Sequence, residues 1–245
     1  MARKIKIPDE RLKRFARDER KRKKDIRKKR QYYLIVCEGE KTEPNYFHGL
    51  KEDLPKGILT YCRINIEGTG RNTQSLVDES LRLKDVYERE NTRSVDRLWV
   101  VFDRDSFSAN DFNGAILRCR TTKPEIGCAW SNEAFELWYL LHFHYYNNGM
   151  SRKDYQERIE ENLKPYLGAD YRYEKNSTQM YNLLKKYGNQ DDAIRNAKML
   201  ESNFKDRQDY ANWNPCTKVW MLVEELMKLV EEDTFSPHSD HIPSL

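Results

Sequence analysis

The chain has 245 residues, a mean hydropathy of −0.96 and 34% charged residues. No apolar run approaches the roughly 18 residues that a membrane helix needs, and the first residues are charged rather than apolar, so we expect neither a membrane span nor a secretory signal. The five cysteines are an odd number without a C-x-x-C pair. This count argues against a disulfide framework or a zinc knuckle and favours the reducing cytoplasm.

The charge is unevenly distributed along the chain. Residues 1–30 hold 16 Lys+Arg and 5 Asp+Glu, a net charge of +11, whereas the other 215 residues hold 28 basic and 35 acidic side chains, a net charge of −7. We expect this basic arm to be disordered or marginally helical when free and to contact nucleic-acid phosphates, which gives salt-sensitive binding without sequence preference. The alternatives are a solvated leader and a contact with an acidic protein. The residues assigned to nucleic-acid binding in the arm are Arg20, Lys21, Arg22, Lys23, Lys24, Arg27, Lys28, Lys29 and Arg30.

The pattern after the arm predicts alternating strands and helices. The apolar runs predict strands at 32–37, 61–66, 97–102 and 126–130. Helices are predicted at 42–54, 73–90, 111–120 and 133–146. This order predicts an α/β fold with a parallel sheet flanked by helices.

Strand signals stop at about residue 148. Helical spacing is found at 155–167, 178–187, 191–203 and 217–232, the last with a clear amphipathic stripe. The predicted organisation is therefore a basic arm (1–30), an α/β domain (31–147), a helical C-terminal extension (148–233) and a tail (234–245).

Acidic side chains follow two of the predicted strands. Glu38 comes directly after the first, and Asp103 and Asp105 follow the third. Ligands of parallel α/β sheets bind beyond the carboxyl ends of the strands, and clustered carboxylates are costly unless a cation neutralises them. Hard oxygen donors favour Mg²⁺ or Mn²⁺. The alternative interpretation of Asp103 and Asp105 is a polar turn.

Three segments resemble the signatures of RloB-like proteins, a family that includes the AbiLii abortive-infection proteins. The first is VCEGEKTEPNYF at 36–47. The second is Ser131-Asn132 followed by FELW at 135–138, and the third is NPCT at 214–217. The resemblance covers about residues 31–230.

This resemblance implies a Toprim-like fold with Glu38 as its glutamate and Asp103 and Asp105 as its aspartates. It also implies a role in phage defence beside an ATPase of the ABC type. The related overcoming-lysogenization-defect nucleases cleave phosphodiesters with two metals. Their pattern has a second glutamate shortly after the first, which Glu43 matches loosely, and a Ser-x-Glu, which the segment ending at Glu133 matches in form.

Several further residues have two interpretations. Glu136 lies in an otherwise apolar predicted helix, on the same face as Asn132 and Glu133, so it is either a metal ligand or part of the solvent side. Lys175 is either a group that stabilises phosphoryl charge or an exposed lysine at a helix start. Arg104 is either a phosphate contact or a counter-charge for its aspartate neighbours.

Together these features predict a divalent-metal-dependent nuclease that acts on RNA or DNA. The predicted catalytic groups are Glu38, Asp103, Asp105 and Lys175, and the predicted metal ligands are Glu38, Glu43, Asp103, Asp105, Glu133 and Glu136. The chain has no phosphate-binding loop of the G-x-x-x-x-G-K-[ST] type, so ATP hydrolysis is assigned to a partner. The alternative is a non-catalytic nucleic-acid-binding or regulatory subunit of such a complex.

Overall fold

The computed structural model describes Lys13 and residues 30–70, 73–105, 107–204 and 207–234. The described residues from 31 to 234 belong to one compact unit. The predicted arm contacts at Arg20, Lys21, Arg22, Lys23, Lys24, Arg27, Lys28 and Lys29 lie outside the described residues. None of the described helices is long and apolar enough to cross a membrane.

The fold is α/β, as predicted, with a five-stranded, mostly parallel sheet. Its strands are β1 (Gln31–Cys37), β2 (Cys62–Gly68), β3 (Arg97–Asp103), β4 (Gly127–Asn132) and β5 (Cys216–Thr217). They lie in the order β2-β1-β3-β4-β5. The first four are parallel, and β5 pairs with β4 in the antiparallel direction. The sequence analysis missed β5, because two residues are too short to show an alternating pattern.

Nine α-helices are assigned within the described residues. They are α1 (Thr42–Asp53), α2 (Lys56–Tyr61), α3 (Thr73–Asn91), α4 (Ala109–Thr121), α5 (Glu136–Leu140), α6 (Arg152–Leu167), α7 (Met180–Tyr187), α8 (Gln190–Ser202) and α9 (Val219–Thr234). A 3-10 turn covers Tyr210–Asn212. Local signals explain several helix starts. Ser108 accepts a hydrogen bond from the backbone N–H of Asp111 at the start of α4, and Ser151 forms a reciprocal capping box with Asp154 at the start of α6.

Both faces of the sheet are covered, which explains the continuous apolar runs in β1 and β3. Alternate residues of β1 point to opposite sides. Ile35 packs in a core shared with α1 and the C-terminal helices, whereas Leu34 packs in a second core with α3 and α4. The central strands therefore hold their carboxyl ends rigidly at one edge of the sheet.

The predicted helix at 133–146 is wrong in extent. Asn132 ends β4, and the helix that follows covers only Glu136–Leu140. The proposed common helix face of Asn132, Glu133 and Glu136 is therefore wrong as well, because the first two residues are not helical. The run is apolar because the short helix is buried on every side, and a fully buried segment has no amphipathic period to mark its ends.

Candidate active site

The carboxyl ends of β1 and β3 lie side by side and carry the first acidic pair. The backbone N–H of Glu38, directly after β1, donates to the Val101 carbonyl at 2.8 Å. The backbone N–H of Asp103, the last residue of β3, donates to Glu38 Oε2 at 3.1 Å. The parallel pairing thus fixes Glu38 against the neighbouring strand end.

The turn after β3 brings Asp103 and Asp105 to one point. Asp103 is buried. Asp105 has a φ of +27°, close to the left-handed region that aspartate tolerates better than most residues, and its N–H donates to the Glu133 carbonyl at 3.0 Å. With this backbone, both carboxylates contact the same cation, the guanidinium of Arg152.

Two more glutamates approach the same point from the helices. Glu43 lies in the first turn of α1, and Glu136 is the first residue of α5; both are buried. The Glu136 carboxylate accepts from Gln156 Nε2 at 3.1 Å and lies 3.4 Å from the Tyr173 hydroxyl. The interpretation of Glu136 as a solvent-facing residue is wrong, since it is only 1% exposed.

Arg152, the first residue of α6, lies among these acids. Its Nη2 donates to Asp103 Oδ2 at 2.9 Å, and its Nη1 donates to Asp105 Oδ2 at 2.8 Å. Its Nε lies 3.6 Å from Glu136 Oε2. One guanidinium therefore contacts carboxylates from β3, from the turn after it and from α5.

These groups line a cleft of about 370 Å³. The cleft also includes Lys175, which lies in a turn and not at a helix start. The Lys175 carbonyl accepts from Thr42 Oγ1 at 2.8 Å, so this turn is attached to the start of α1. The residues lining the cleft are Glu38, Gly39, Glu40, Lys41, Thr42, Glu43, Asp103, Asp105, Glu136, Arg152, Lys175 and Asn176.

Burial and mutual repulsion raise the pKa of three of the clustered carboxylates. Burial raises the pKa of Glu38 to about 7, although the Asp103 N–H donor opposes the shift. Burial, and next the charge of Glu43, raise the pKa of Asp103 well above its usual range. Burial also raises the pKa of Glu43. For Arg152 burial lowers the pKa, but the surrounding carboxylates, with Asp103 first, raise it more.

The donor chemistry of the cleft fits a hard divalent cation. Six carboxylates line the cleft together with the positive charges of Lys41, Arg152 and Lys175, and two buried oxygens, Asp103 Oδ1 and Glu43 Oε2, have no hydrogen-bond partner among the described residues. An unpaired buried charge is costly, and oxygen donors suit Mg²⁺ or Mn²⁺. Among the residues that the structure describes, no three His, Cys, Asp or Glu side chains are already arranged around a metal position. Asp103, Asp105 and Glu136 instead converge on Arg152.

The structure brings together most of the predicted site residues. Glu38, Glu43, Asp103, Asp105, Glu136 and Lys175 line one cleft. Glu133 and Arg104 are not among the residues that line it. Glu133 contributes its backbone carbonyl to the turn at Asp105, and Arg104 Nη1 lies 3.4 Å from the Asp105 carbonyl. Of the predicted arm contacts, Arg30 alone is described, and it is exposed just before β1.

Arg152 and Gln156 were not predicted from the sequence, although a signal for both was present. The buried residues of α6 are Tyr155, Ile159 and Leu163, and Arg152 and Gln156 fall on the same stripe at spacings of three and four residues. A basic side chain on a buried stripe needs an acidic partner.

The chain belongs to the RloB-like family. The model of that family, described as RloB-like protein, matches residues 33–226, which is most of the chain. Comparison with curated proteins found no match, and comparison with solved structures found none either.

Proposed function

We propose that this RloB-like protein is a divalent-metal-dependent nuclease that hydrolyses phosphodiester bonds of RNA or DNA. One observation carries the proposal. Six carboxylates line a cleft at the carboxyl edge of a parallel sheet, and two of their buried oxygens have no hydrogen-bond partner among the described residues. Ligand sites of such sheets lie at this edge, and an acidic cluster of this density calls for a cation.

Six residues of the cleft have a role in this proposal. Glu38, Asp103 and Asp105 would hold Mg²⁺ or Mn²⁺, with Glu43 and Glu136 completing or orienting the ligand set. The ion would supply Lewis-acid stabilisation of the scissile phosphate. Alternatively, Glu38 would not bind the metal but would accept or donate a proton at the reacting oxygen. Lys175 would contact the phosphoryl oxygens on which negative charge develops.

The proposed biological setting rests on the resemblance and on the charge pattern. We place the protein in an anti-phage defence system, with an ABC-type ATPase as partner and a Toprim-like fold in common with its nuclease relatives. The basic arm would draw the nucleic acid in through its phosphates. Arg104, which is not part of the arm, would contact phosphate beside the cleft. The proposed compartment is the cytoplasm.

Metal binding is the first experiment, because it does not require a partner protein. Mn²⁺ is titrated calorimetrically into the wild-type protein and into Asp103→Asn, with Glu157→Gln as a control carboxylate that is exposed on α6. We expect binding to wild type and to the control and none to Asp103→Asn. Cleavage of tRNA, single-stranded DNA and duplex DNA is then measured with the same three proteins. Cleavage by Asp103→Asn at the wild-type rate would refute the proposal.

A second candidate function is a nucleic-acid-binding or regulatory subunit without turnover. The observation that favours it is the position of Arg152, which already pairs with Asp103 and Asp105 and faces Glu136. Under this alternative the wild-type protein binds nucleic acid but takes up no Mn²⁺, and Asp103→Asn leaves nucleic-acid binding unchanged.

A further inference from the structure

The acidic cleft contains a cation supplied by the chain itself. The guanidinium of Arg152 spans Asp103 Oδ2 at 2.9 Å and Asp105 Oδ2 at 2.8 Å with its two terminal nitrogens. Its third nitrogen faces the buried Glu136 at 3.6 Å. These carboxylates are three of the proposed metal ligands, so a divalent ion that binds Asp103 Oδ2 and Asp105 Oδ2 competes with the guanidinium for them.

The position of Arg152 is fixed by the structure around it. Ser151 and Asp154 form a capping box that sets the first turn of α6. Gln156, one turn further along, donates to Glu136. The Arg152 side chain is 25% exposed, so it borders the cleft and is not enclosed in the core.

The contacts of Arg152 are incomplete for a permanent structural ion pair. Its buried Nε has no hydrogen-bond partner among the described residues, and the Nε–Glu136 distance of 3.6 Å exceeds that of a charge-assisted hydrogen bond. On the other side of the pair, Asp103 Oδ1 is buried and unpartnered as well. Arg152 therefore neutralises the cluster only in part.

From these contacts we infer that Arg152 is the resident counter-ion of the cleft and that a divalent cation binds by displacing it. The inference rests on the proposed function, since it concerns the same metal site. Arg152 is thereby assigned as a residue that sets metal affinity. Before metal binds, its ion pairs hold the carboxylates together. Metal binding releases the guanidinium toward the open side of the cleft, where substrate phosphate would lie.

The test compares Mn²⁺ affinity in four proteins by calorimetry: wild type, Arg152→Gln, Arg152→Lys and Arg158→Gln. Arg158 lies on the same helix, where it pairs with Glu161 at the surface, so its variant controls for the loss of one positive charge from α6. Arg152→Lys retains the charge of the cleft but loses the two-pronged contact. Displacement predicts at least tenfold tighter Mn²⁺ binding in Arg152→Gln, intermediate tightening in Arg152→Lys and no change in Arg158→Gln.

Several results would overturn the inference. Affinity in Arg152→Gln at or below that of wild type would mean that Arg152 does not compete with the metal. If Mn²⁺ bound more tightly to Arg152→Gln but with wild-type affinity to Arg152→Lys, the effect would be explained by net charge alone. If Arg152→Gln fails to fold without metal, the inference is tested by the Mn²⁺ affinity of Arg152→Lys relative to that of the wild-type protein. In the wild type, the Nε–H signal of Arg152 in NMR spectra must shift when Mg²⁺ is added, and an unmoved signal at saturating Mg²⁺ refutes displacement.

The same data separate this inference from the proposed function. If Mn²⁺ binds to wild type and is lost in Asp103→Asn, while Arg152→Lys and Arg152→Gln match the wild type, only the role of Arg152 fails. If Mn²⁺ binds to none of the proteins, the metal site itself fails and the role of Arg152 fails with it.

Discussion

Acidification should destabilise the protein through one buried histidine near the cleft. His142 follows α5, the helix that begins with Glu136, and it is only 3% exposed. Its Nδ1 lies 2.9 Å from the Trp138 carbonyl, and its ring packs edge-on against Trp138 at 5.0 Å. Burial lowers the pKa of His142 to about 4, against weaker opposing effects of backbone hydrogen bonds.

The size of the effect follows from the difference between the folded and unfolded states. With a pKa of about 4 when folded and the usual 6.5 when unfolded, the unfolded state binds the proton first as the pH falls. The contribution of His142 to the free energy of unfolding is therefore fully present above pH 6.5, and it is lost as the pH falls towards 4. Between pH 7 and pH 5 this residue accounts for a loss of about 2 kcal/mol.

The assay is denaturant unfolding of wild type and His142→Asn at pH 7 and pH 5, without added metal. Asparagine offers an N–H donor near the position of Nδ1 but does not titrate. We expect the variant to lose about 2 kcal/mol less than wild type over this interval, whatever its stability at pH 7. His48→Asn, at an exposed position, is the control and should retain the wild-type dependence. Equal pH dependence in wild type and His142→Asn would refute the reasoning.

Three further predictions concern the cleft and the arm. In Gly39→Ala the added methyl group would overlap Glu43 Oε2, so we expect weaker Mn²⁺ binding in calorimetry with an unchanged circular dichroism spectrum; wild-type affinity would show that Glu43 is not needed for the metal. Ser151→Ala removes the cap of α6 and should lower the free energy of unfolding by about 1 kcal/mol, measured by urea denaturation, whereas Ser202→Ala, at the last residue of α8, should change it little. Deletion of residues 1–30 should weaken nucleic-acid binding and flatten its salt dependence; an unchanged slope in fluorescence anisotropy titrations would exclude the arm from the contact.

The strand ends were predictable from the sequence because their physics is local. β1 and β3 are largely apolar runs. Glu38 directly follows β1, Asp103 is the last residue of β3, and Asp105 lies two residues further on. Parallel pairing of neighbouring strands then brings these residues to one edge without any knowledge of side-chain packing. The α/β class follows from the same alternation of runs.

The remainder of the site depends on tertiary contacts that no local pattern encodes. Glu136 was assigned by a helix-face argument that is wrong, and it reaches the cleft because α5 is a short buried helix after β4. The buried stripe of α6 indicates that Arg152 needs an acidic partner, but it does not identify that partner. The contact of Arg152 with Asp103 crosses 49 residues of sequence, and only the packing of α6 against α5 determines which basic side chain meets the acids.

The hydrogen bond from Thr42 to the Lys175 carbonyl joins residues 133 positions apart, and it has a consequence for biosynthesis. The carboxylates emerge from the ribosome first, between Glu38 and Glu136, and the groups that neutralise and close the cleft follow only with Arg152 and Lys175. A nascent chain that has reached α5 therefore carries the acidic cluster without its counter-ion or its closing turn. The cleft therefore becomes complete only after Lys175 has been added, long after its acidic residues.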